Sequence, residues 1–260
     1  MSLLITIFFA LFFFLFLLFT VAVLYVLTFF LDLFGRKNLS RKLASKIASL
    51  WARILLRSCG TKVEVRGLEN LPRTNNLCFV SNHQSHIDIL LILGFIPKGM
   101  GFIAKVELLK VPLLNLGMKK INCIFLDRKN IRQAVTAINR GADNIKAGIP
   151  MVIFPEGKRS KERKMNKFLP GSLKMALLSG AVIVPLTVDG TYKVLEEKYR
   201  INPSTVRLTI HPAIDTAELS PEEKKKLHHT LWETIASPLG QNKATETSSR
   251  EGTARSPEKL

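Results

Sequence analysis

The feature that most constrains this chain is an apolar stretch at its N-terminus. Residues Leu3 to Leu31 carry no charged side chain and are rich in Phe and Leu. About 20 apolar residues are enough to cross the hydrocarbon core of a bilayer, so residues 1–34 are predicted to form a hydrophobic membrane segment. A single spanning helix and a long helix that enters one leaflet both fit the pattern. The length of the stretch and the lack of a basic region before it argue against a cleavable signal peptide.

Basic residues follow the apolar stretch and predict its orientation. Asp32 ends the stretch. Five cations come soon after it: Arg36, Lys37, Arg41, Lys42 and Lys46. Lys and Arg beside a membrane segment mark the cytoplasmic side. We therefore expect localisation at the cell (inner) membrane, with the globular remainder of the chain on the cytoplasmic face.

The next segment, residues 35–60, has the pattern of a basic amphipathic helix. Apolar side chains recur at helical spacing from Leu39 to Ile54, and Lys and Arg occupy much of the remaining surface. Such a helix is suited to a lipid interface. The alternative is that its apolar face packs on the globular domain.

The net charge indicates which partners the chain meets, not how it folds. The formal charge is +18. Nucleic acid, an anionic membrane surface and small phosphorylated substrates all suit such a charge. The apolar N-terminus favours the membrane, and no nucleic-acid partner is expected. The three cysteines are far apart and in apolar surroundings, which predicts buried thiols in a reducing compartment, and no Cys/His group has metal-ligand spacing.

From residue 61 to residue 236, short apolar runs alternate with helical patterns. Strands are predicted at 63–66, 77–80, 121–126, 151–154, 181–188 and 205–210, and helices at 87–95, 130–147, 172–179 and 221–236. This alternation predicts an α/β domain with a mostly parallel sheet flanked by helices. Residues 237–260 are polar and rich in turn-forming types, and we expect a disordered tail there.

A histidine and an aspartate, His83 and Asp88, follow one buried-type strand and precede an apolar helix. Open α/β sheets place their sites at the carboxyl ends of strands. A histidine oriented by a carboxylate can act as a general base on a hydroxyl, provided that the chain turns between the two residues, with Ser85 as the helix N-cap. On spacing alone, Asp88 could instead only hold the helix start together with Ser85. His86 is then a packing or surface group.

The run 154–160 also leaves a predicted strand and offers groups that bind anions. Gly157 allows a tight backbone, and Lys158 and Arg159 supply cations. Arginine can hold a phosphate with two hydrogen bonds, whereas lysine acts as a point charge. Glu156 could orient a cation or the substrate. The competing interpretation is a solvated basic loop.

Two further blocks lie at or within predicted strands. Arg128 follows the strand at 121–126 and is a second phosphate candidate, unless Asp127 merely pairs with it. Pro185 lies inside an apolar strand, where a proline marks an edge, a bulge or a substrate wall.

In this order, the four blocks resemble the motifs of the 1-acylglycerol-3-phosphate acyltransferase family and its glycerolipid acyltransferase relatives. The resemblance covers roughly residues 78–191. The matching residues are Asn82, His83 and Asp88; Phe125 and Arg128; Phe154, Pro155, Glu156, Gly157, Arg159 and Ser160; and Val184, Pro185 and Leu186. Lys158 stands where the family usually has Thr, and this difference bears on which acceptor headgroup the site binds. The stretch between the first two blocks also looks like the family's, and it adds Lys105 as a phosphate candidate.

The resemblance implies transfer of an acyl group from an acyl-CoA or acyl-carrier-protein thioester to the 2-hydroxyl of 1-acylglycerol 3-phosphate (lysophosphatidic acid). The product would be phosphatidic acid, in phospholipid biosynthesis. The catalytic residues would be His83 and Asp88. Substrate binding would fall to Lys105, Arg128, Glu156, Gly157, Arg159, Ser160 and Pro185. No metal and no cofactor apart from the acyl donor is expected, and membrane lipid is a further partner.

Two alternatives stay open at this point. Lys158 motivates an acyltransferase that acts on another lysophospholipid or on a lyso-aminolipid. The net charge motivates a non-enzymatic protein that binds membrane lipid through its basic face.

Overall fold

The computed structural model describes residues 2–241, and its centre is one mixed β-sheet. The strands are β1 (Lys62–Arg66), β2 (Leu77–Ser81), β3 (Gly101–Lys105), β4 (Ile124–Leu126), β5 (Met151–Ile153), β6 (Val182–Asp189), β7 (Thr205–Ile210) and β8 (Ile214–Asp215). Their order is β1-β7-β6-β2-β5-β3-β4, with β8 paired to β6 off this path. Pairing is parallel except where β6 meets β7 and β8. The predicted mostly parallel sheet is confirmed.

Helices cover both faces of the sheet. They are α1 (Ser2–Leu33), α2 (Lys37–Ser58), α3 (Ile87–Phe95), α4 (Leu114–Lys120), α5 (Ile131–Lys146), α6 (Lys174–Ser179) and α7 (Pro221–Ala236). Residues of β2 alternate between two apolar layers: Phe79 packs with α2 and α3, whereas Cys78 and Val80 pack with α5, α6 and α7. Because both faces of β2 are buried, its sequence is a continuous apolar run.

Some element boundaries differ from the prediction, and the backbone explains why. The strand expected at 121–126 is only β4, because Asn122 turns the chain at φ 61° after α4 ends. Asparagine tolerates this left-handed conformation better than most residues. β3 was not predicted as a strand: its apolar run is only three residues long, from Phe102 to Ala104, and its second half is only partly buried.

The folded chain continues past the predicted boundary at residue 236. Ser237–Leu239 form a 3-10 turn in which Leu239 is buried. The Gln241 side chain accepts from the Met165 N–H at 2.9 Å and donates to the Arg163 carbonyl at 2.8 Å. The rest of the predicted tail, residues 242–260, lies outside the described residues.

The apolar helix α1 lies along the α/β domain. Near its start, Thr6 Oγ1 accepts from the Ile201 N–H at 3.1 Å, and near its end Asp32 pairs with Lys120 at 3.3 Å. Residues 6–33 are long and apolar enough to cross a membrane. The face turned away from the domain exposes many apolar side chains, among them Leu4, Phe8, Leu11, Leu15, Phe19, Phe30 and Leu33.

Helix α2 packs its apolar face on the domain, which was the alternative to a purely interfacial helix. Ala52, Leu55 and Leu56 are buried. Arg53 Nε and Ser49 Oγ donate to the Gly94 carbonyl near the end of α3, at 2.5 and 3.2 Å. Helix α2 thus connects α1 to α3, the helix that begins beside His83.

Candidate active site

Three strand ends meet at one edge of the sheet. β2 runs parallel to both of its neighbours, with Val80 opposite Ile153 of β5 and Pro185 of β6. The segments that leave these three strands therefore begin side by side. This is the edge at which open α/β sheets carry their sites.

The His83 loop, residues 83–88, brings the predicted pair together. His83 Nδ1 lies 2.7 Å from Asp88 Oδ2, and the Asp88 side chain is fully buried. The His83 ring stacks on Phe154, with ring centroids 4.0 Å apart. Because a carboxylate only accepts, the geometry assigns the hydrogen to Nδ1 and leaves Nε2 as the basic nitrogen.

Asp88 also holds the start of the helix, so its two expected roles coexist. Its Oδ2 accepts from the backbone N–H groups of Gln84 and Ser85 at 2.7 and 2.9 Å. Ser85 is not the N-cap that we predicted, because α3 begins at Ile87 and His86 occupies the cap position. The Ser85 hydroxyl instead accepts from the Ile87 N–H at 2.9 Å.

Buried carboxylates receive every backbone N–H at the start of the His83 loop. The donors and acceptors are His83 to Glu156 Oε1 at 2.7 Å, Gln84 and Ser85 to Asp88 Oδ2 at 2.7 and 2.9 Å, and His86 to Glu196 Oε1 at 3.0 Å. All three carboxylates are buried. Hydrogen bonds to a charged acceptor are shorter and stronger than neutral ones, so this loop is tightly fixed.

Glu156 was predicted to bind substrate, and its contacts indicate a positioning role. Oε1 accepts from His83, while Oε2 accepts from the backbone and side-chain nitrogens of Asn166, both at 2.8 Å. Burial raises the pKa of Glu156, and these hydrogen bonds oppose that rise. Since both oxygens are engaged by the protein, a direct contact with substrate stays a prediction.

Arg159 forms an ion pair with Glu196. Arg159 Nη1 lies 2.9 Å from Glu196 Oε1, and the Arg159 side chain keeps 27% of its surface exposed. Glu196 Oε2 accepts from the Ser85 hydroxyl at 2.5 Å. The predicted phosphate-binding arginine is thus connected to the His83 loop through one carboxylate.

Gly157 and Arg128 lie against each other. Gly157 adopts φ 74°, which favours glycine. A Cβ on Gly157 would lie 2.4 Å from Leu169 Cδ1 and 3.2 Å from Arg128 Nη1. The structure therefore brings Arg128 to the turn that precedes Arg159.

Ser160 joins two of the loops through its backbone. Its N–H donates to the His83 carbonyl at 2.8 Å, and its hydroxyl donates to the Glu162 carbonyl at 2.8 Å. This is a positioning contact, and substrate binding by Ser160 stays a prediction.

Lys105 and Pro185 are not brought to the His83 loop by any contact seen in the structure. Lys105 is exposed and pairs with Glu107 at 2.9 Å. Pro185 is buried on a strand with neighbours on both sides, so the edge interpretation is wrong. It lies where β6 changes partner from β8 to β7, and its carbonyl accepts from the His211 N–H at 3.0 Å. A proline has no N–H to return, so it fits this break in the ladder.

Two residues that hold the site were not singled out from the sequence. The Thr191 hydroxyl donates to Asp88 Oδ1, and Gly190, with φ 87°, turns the chain just before it. Thr191 ends the fourth block, which was the available signal. Glu196 stands in a Glu-Glu-Lys run that looks like ordinary solvated surface. Among residues 2–241, no group of three or more His, Cys, Asp or Glu side chains could hold a metal ion.

A family profile described as Acyltransferase matches residues 62–189. The match runs from β1 to the end of β6 and includes the His83 loop. The fold, with a His–Asp pair at the carboxyl end of a central strand, thus defines an acyltransferase domain.

Curated relatives indicate which family of acyltransferases the chain belongs to. The 1-acyl-sn-glycerol-3-phosphate acyltransferase of Borreliella burgdorferi is 31% identical over 195 residues, which are 72% of this chain and 78% of that protein. The chloroplastic 1-acyl-sn-glycerol-3-phosphate acyltransferase BAT2 of Brassica napus is 34% identical over 188 residues. The chain belongs to the 1-acyl-sn-glycerol-3-phosphate acyltransferase family, as its motifs predict.

The extent of these similarities differs. The match to the Brassica napus relative covers 71% of this chain but only 54% of that relative. The chain therefore spans about half the length of that protein. The crystal structure of the 1-acyl-sn-glycerophosphate (LPA) acyltransferase PlsC from Thermotoga maritima matches over 99% of this chain and 98% of that one. The TM-score is 0.73 at 28% sequence identity, and a match over 99% of this chain includes the N-terminal helices.

Proposed function

We propose that the chain transfers a fatty acyl group from a thioester to the 2-hydroxyl of 1-acylglycerol 3-phosphate, giving phosphatidic acid. The observation that carries the proposal is the contact of 2.7 Å between His83 Nδ1 and Asp88, which leaves Nε2 to receive a proton. General bases of this kind contribute about 10²–10⁴-fold to rate.

In the proposed reaction, His83 Nε2 takes the proton of the acceptor hydroxyl while that oxygen attacks the thioester carbonyl. Asp88 stabilises the imidazolium that forms. The tetrahedral intermediate then collapses, the C–S bond breaks, and the leaving thiolate takes the proton from His83. The products are an ester and a free thiol, and the base is regenerated.

Direct attack by the acceptor is favoured because the residues around His83 offer no activated nucleophile. The nearby Ser85 hydroxyl donates to Glu196. The three cysteines are buried, and burial raises the pKa of each thiol to about 12. A thiol with so high a pKa is a poor nucleophile at neutral pH.

The acceptor phosphate is proposed to bind Arg159, with Arg128 and Lys105 as further candidates. Arg159 is partly exposed and fixed on the segment that contacts the His83 carbonyl. The donor is proposed to be acyl-CoA or an acyl carrier protein. Both are anionic, and exposed lysines beside Arg159 favour either one: Lys158, Lys161 and Lys167.

We further propose that α1 enters one leaflet of the cell (inner) membrane and that the α/β domain faces the cytoplasm. Contacts at Thr6 and Asp32 tie both ends of α1 to the domain. A helix of 32 residues is about 48 Å long, so a spanning α1 would carry domain residues through the bilayer. The exposed apolar face of α1 is the proposed lipid contact.

The test uses the full chain in detergent with lysophosphatidic acid and palmitoyl-CoA or palmitoyl-acyl carrier protein. We expect turnover with at least one donor, and a loss of about 10³-fold in kcat in the His83→Ala variant. His229→Ala on the exposed surface of α7 is the matched control and should keep full activity. Full turnover by His83→Ala would refute the proposed base.

A second candidate keeps the chemistry and changes the acceptor to another lysophospholipid or a lyso-aminolipid. The exposed Lys158, next to Arg159, favours it. A panel of acceptors separates the two, because preference for another lysophospholipid or for a phosphate-free acceptor would replace lysophosphatidic acid. Lipid binding without any thioester turnover would instead support the non-enzymatic alternative.

A further inference from the structure

We infer that Glu196 is a positioning residue that fixes the position of Arg159 relative to the His83 loop. In this way it sets the distance between the site that binds the acceptor phosphate and the base that acts on the acceptor hydroxyl. The inference rests on the proposed function of Arg159 and His83. It adds a residue that lies outside all four sequence motifs.

The contacts of Glu196 join two segments far apart in the chain. Oε1 accepts from Arg159 Nη1 at 2.9 Å and from the His86 N–H at 3.0 Å, and Oε2 accepts from the Ser85 hydroxyl at 2.5 Å. No other carboxylate described in residues 2–241 contacts both Arg159 and the His83 loop through a hydrogen bond. Glu196 therefore joins the Arg159 side chain directly to the His83 loop.

A carboxylate as buried as Glu196 needs partners, since an isolated buried charge is costly. Its side chain is only 3% exposed, whereas Arg159 reaches 27%. A guanidinium has five N–H donors, so the contact through Nη1 leaves donors for a phosphate. The charge of Glu196 is thus balanced by hydrogen-bond donors inside the protein. The exposed part of Arg159 stays available to bind a phosphate.

A cleft of about 300 Å³ lies where Arg159 and Glu196 meet. It is lined by Arg159, Lys161, Leu195, Glu196 and Tyr199. Two cations beside apolar and aromatic side chains suit a phosphate attached to a lipid backbone. Both oxygens of Glu196 are occupied by hydrogen bonds, which limits its repulsion of an anionic headgroup.

Backbone contacts reinforce the link. Ser160 follows Arg159, and its N–H donates to the His83 carbonyl at 2.8 Å. The N–H of Lys161 donates likewise to the Gln84 carbonyl at 3.2 Å, so the arginine segment contacts the His83 loop at three points, twice through the backbone and once through Glu196. Removing Glu196 should free the guanidinium while the backbone contacts keep the two loops together.

The experiment compares Glu196→Gln with Glu197→Gln in the full chain in detergent. Glutamine keeps the shape of the side chain but removes the charge, whereas Glu197 is exposed and serves as the matched control. Two quantities are measured: the Kd for lysophosphatidic acid in mixed micelles without donor, and the KM values for acceptor and donor. For Glu196→Gln we expect the acceptor Kd and KM to rise about tenfold, the loss of one charge-assisted contact. The donor KM should stay within about twofold.

A double-mutant cycle with Arg159→Ala separates positioning from general support of the fold. If Glu196 acts through Arg159, Glu196→Gln should have little further effect on the acceptor Kd in the Arg159→Ala background. Glu196→Asp keeps the charge on a shorter stem, and we expect an acceptor Kd between those of the wild type and Glu196→Gln. If Glu196→Gln does not fold, Glu196→Asp carries the test alone, and an unchanged acceptor Kd would overturn the inference.

The outcomes distinguish this inference from the proposed function. Tight binding of lysophosphatidic acid without acylation by the wild type would refute the function and leave the role of Glu196 standing, provided that Glu196→Gln weakens that binding. Wild-type affinity in Glu196→Gln would overturn the inference even if the wild type is fully active. Equal increases in acceptor and donor KM would also overturn it, because they would indicate a general loss of structure.

Discussion

The His83 loop and the neighbouring basic loop, residues 158–167, leave parallel strands of one sheet, yet they are held differently. In the His83 loop, each backbone N–H from residue 83 to residue 86 donates to a buried carboxylate. In the basic loop, most charged side chains are exposed. Its fixed points lie mainly in the backbone: Ser160 and Lys161 donate to the His83 and Gln84 carbonyls, Asn166 donates to Glu156, and Met165 and Arg163 contact Gln241.

This difference matches two different chemical demands. A general base works only when it lies within hydrogen-bond reach of the proton that it removes, so its loop must be fixed. Cations attract a phosphate over several ångströms, and exposed lysines can follow a headgroup as it arrives. The fixed loop should therefore be sensitive to single changes, and the basic loop should tolerate them.

The largest expected effect comes from Asp88→Asn in the fixed loop. Asparagine keeps the size of the side chain but cannot accept from His83, Gln84 and Ser85 as a carboxylate does. We expect kcat to fall by about 10³-fold, as in His83→Ala, because a histidine that loses its orienting carboxylate no longer works as the base. Steady-state kinetics checks this, and Asp143→Asn on α5 is the control. A loss below tenfold would mean that Asp88 only caps the helix.

The second prediction concerns stability and its pH dependence through Glu156. Glu156→Gln should reduce the free energy of unfolding by about 1–3 kcal/mol, because one of the donors around this buried site loses its acceptor. Burial raises the pKa of Glu156 above its ordinary value of 4.5. The folded protein therefore binds more protons than the unfolded chain just above pH 4.5, and this contribution to stability is lost as pH rises through the raised pKa.

Glutamine does not titrate, so the deficit of Glu156→Gln should shrink as the pH rises from about 4.5 toward neutrality. Thermal unfolding in detergent across that range checks the sign. A deficit that stays constant with pH would contradict the assignment. Glu162→Gln, in the exposed basic loop, is the matched control.

The smallest expected effect lies in the recognition region. Arg159→Lys keeps the charge but loses the planar group that can bind Glu196 and a phosphate together. We expect the acceptor KM to rise about tenfold with little change in kcat. Lys164→Ala, in the same loop and exposed, should change either parameter by less than about twofold. A larger effect at Lys164 than at Arg159 would reverse the proposed assignment of the phosphate site.

Local patterns predicted much of the fold. The bounds of α7 match the prediction, and its start is defined by a capping box of Ser220 and Glu223, a signal contained in four residues. β7 also matches, as an alternating run. β3 was missed, and β4 was predicted three residues too long at its start, because their limits depend on neighbouring strands and on the turn at Asn122. Local hydrophobicity also could not predict that α1 packs on the α/β domain.

The site residues likewise divide into those that local sequence predicts and those that depend on contacts between distant segments. His83 and Asp88 could be predicted because they are only five positions apart, so a short stretch of sequence contains both groups and the turn between them. Glu196 could not, since its contacts with the His83 loop cross 110 and 111 residues of sequence. Glu156 was located correctly, but its role as an acceptor for the His83 N–H appears only when β2 and β5 lie side by side.

The most direct test of the account is a double-mutant cycle in kcat between His83→Ala and Asp88→Asn. If Asp88 acts by orienting His83, the double variant should be about as slow as His83→Ala alone, because residues that act as one unit are not additive. If the two losses instead multiply, Asp88 contributes to catalysis without His83, and the central claim of a His–Asp base would be contradicted.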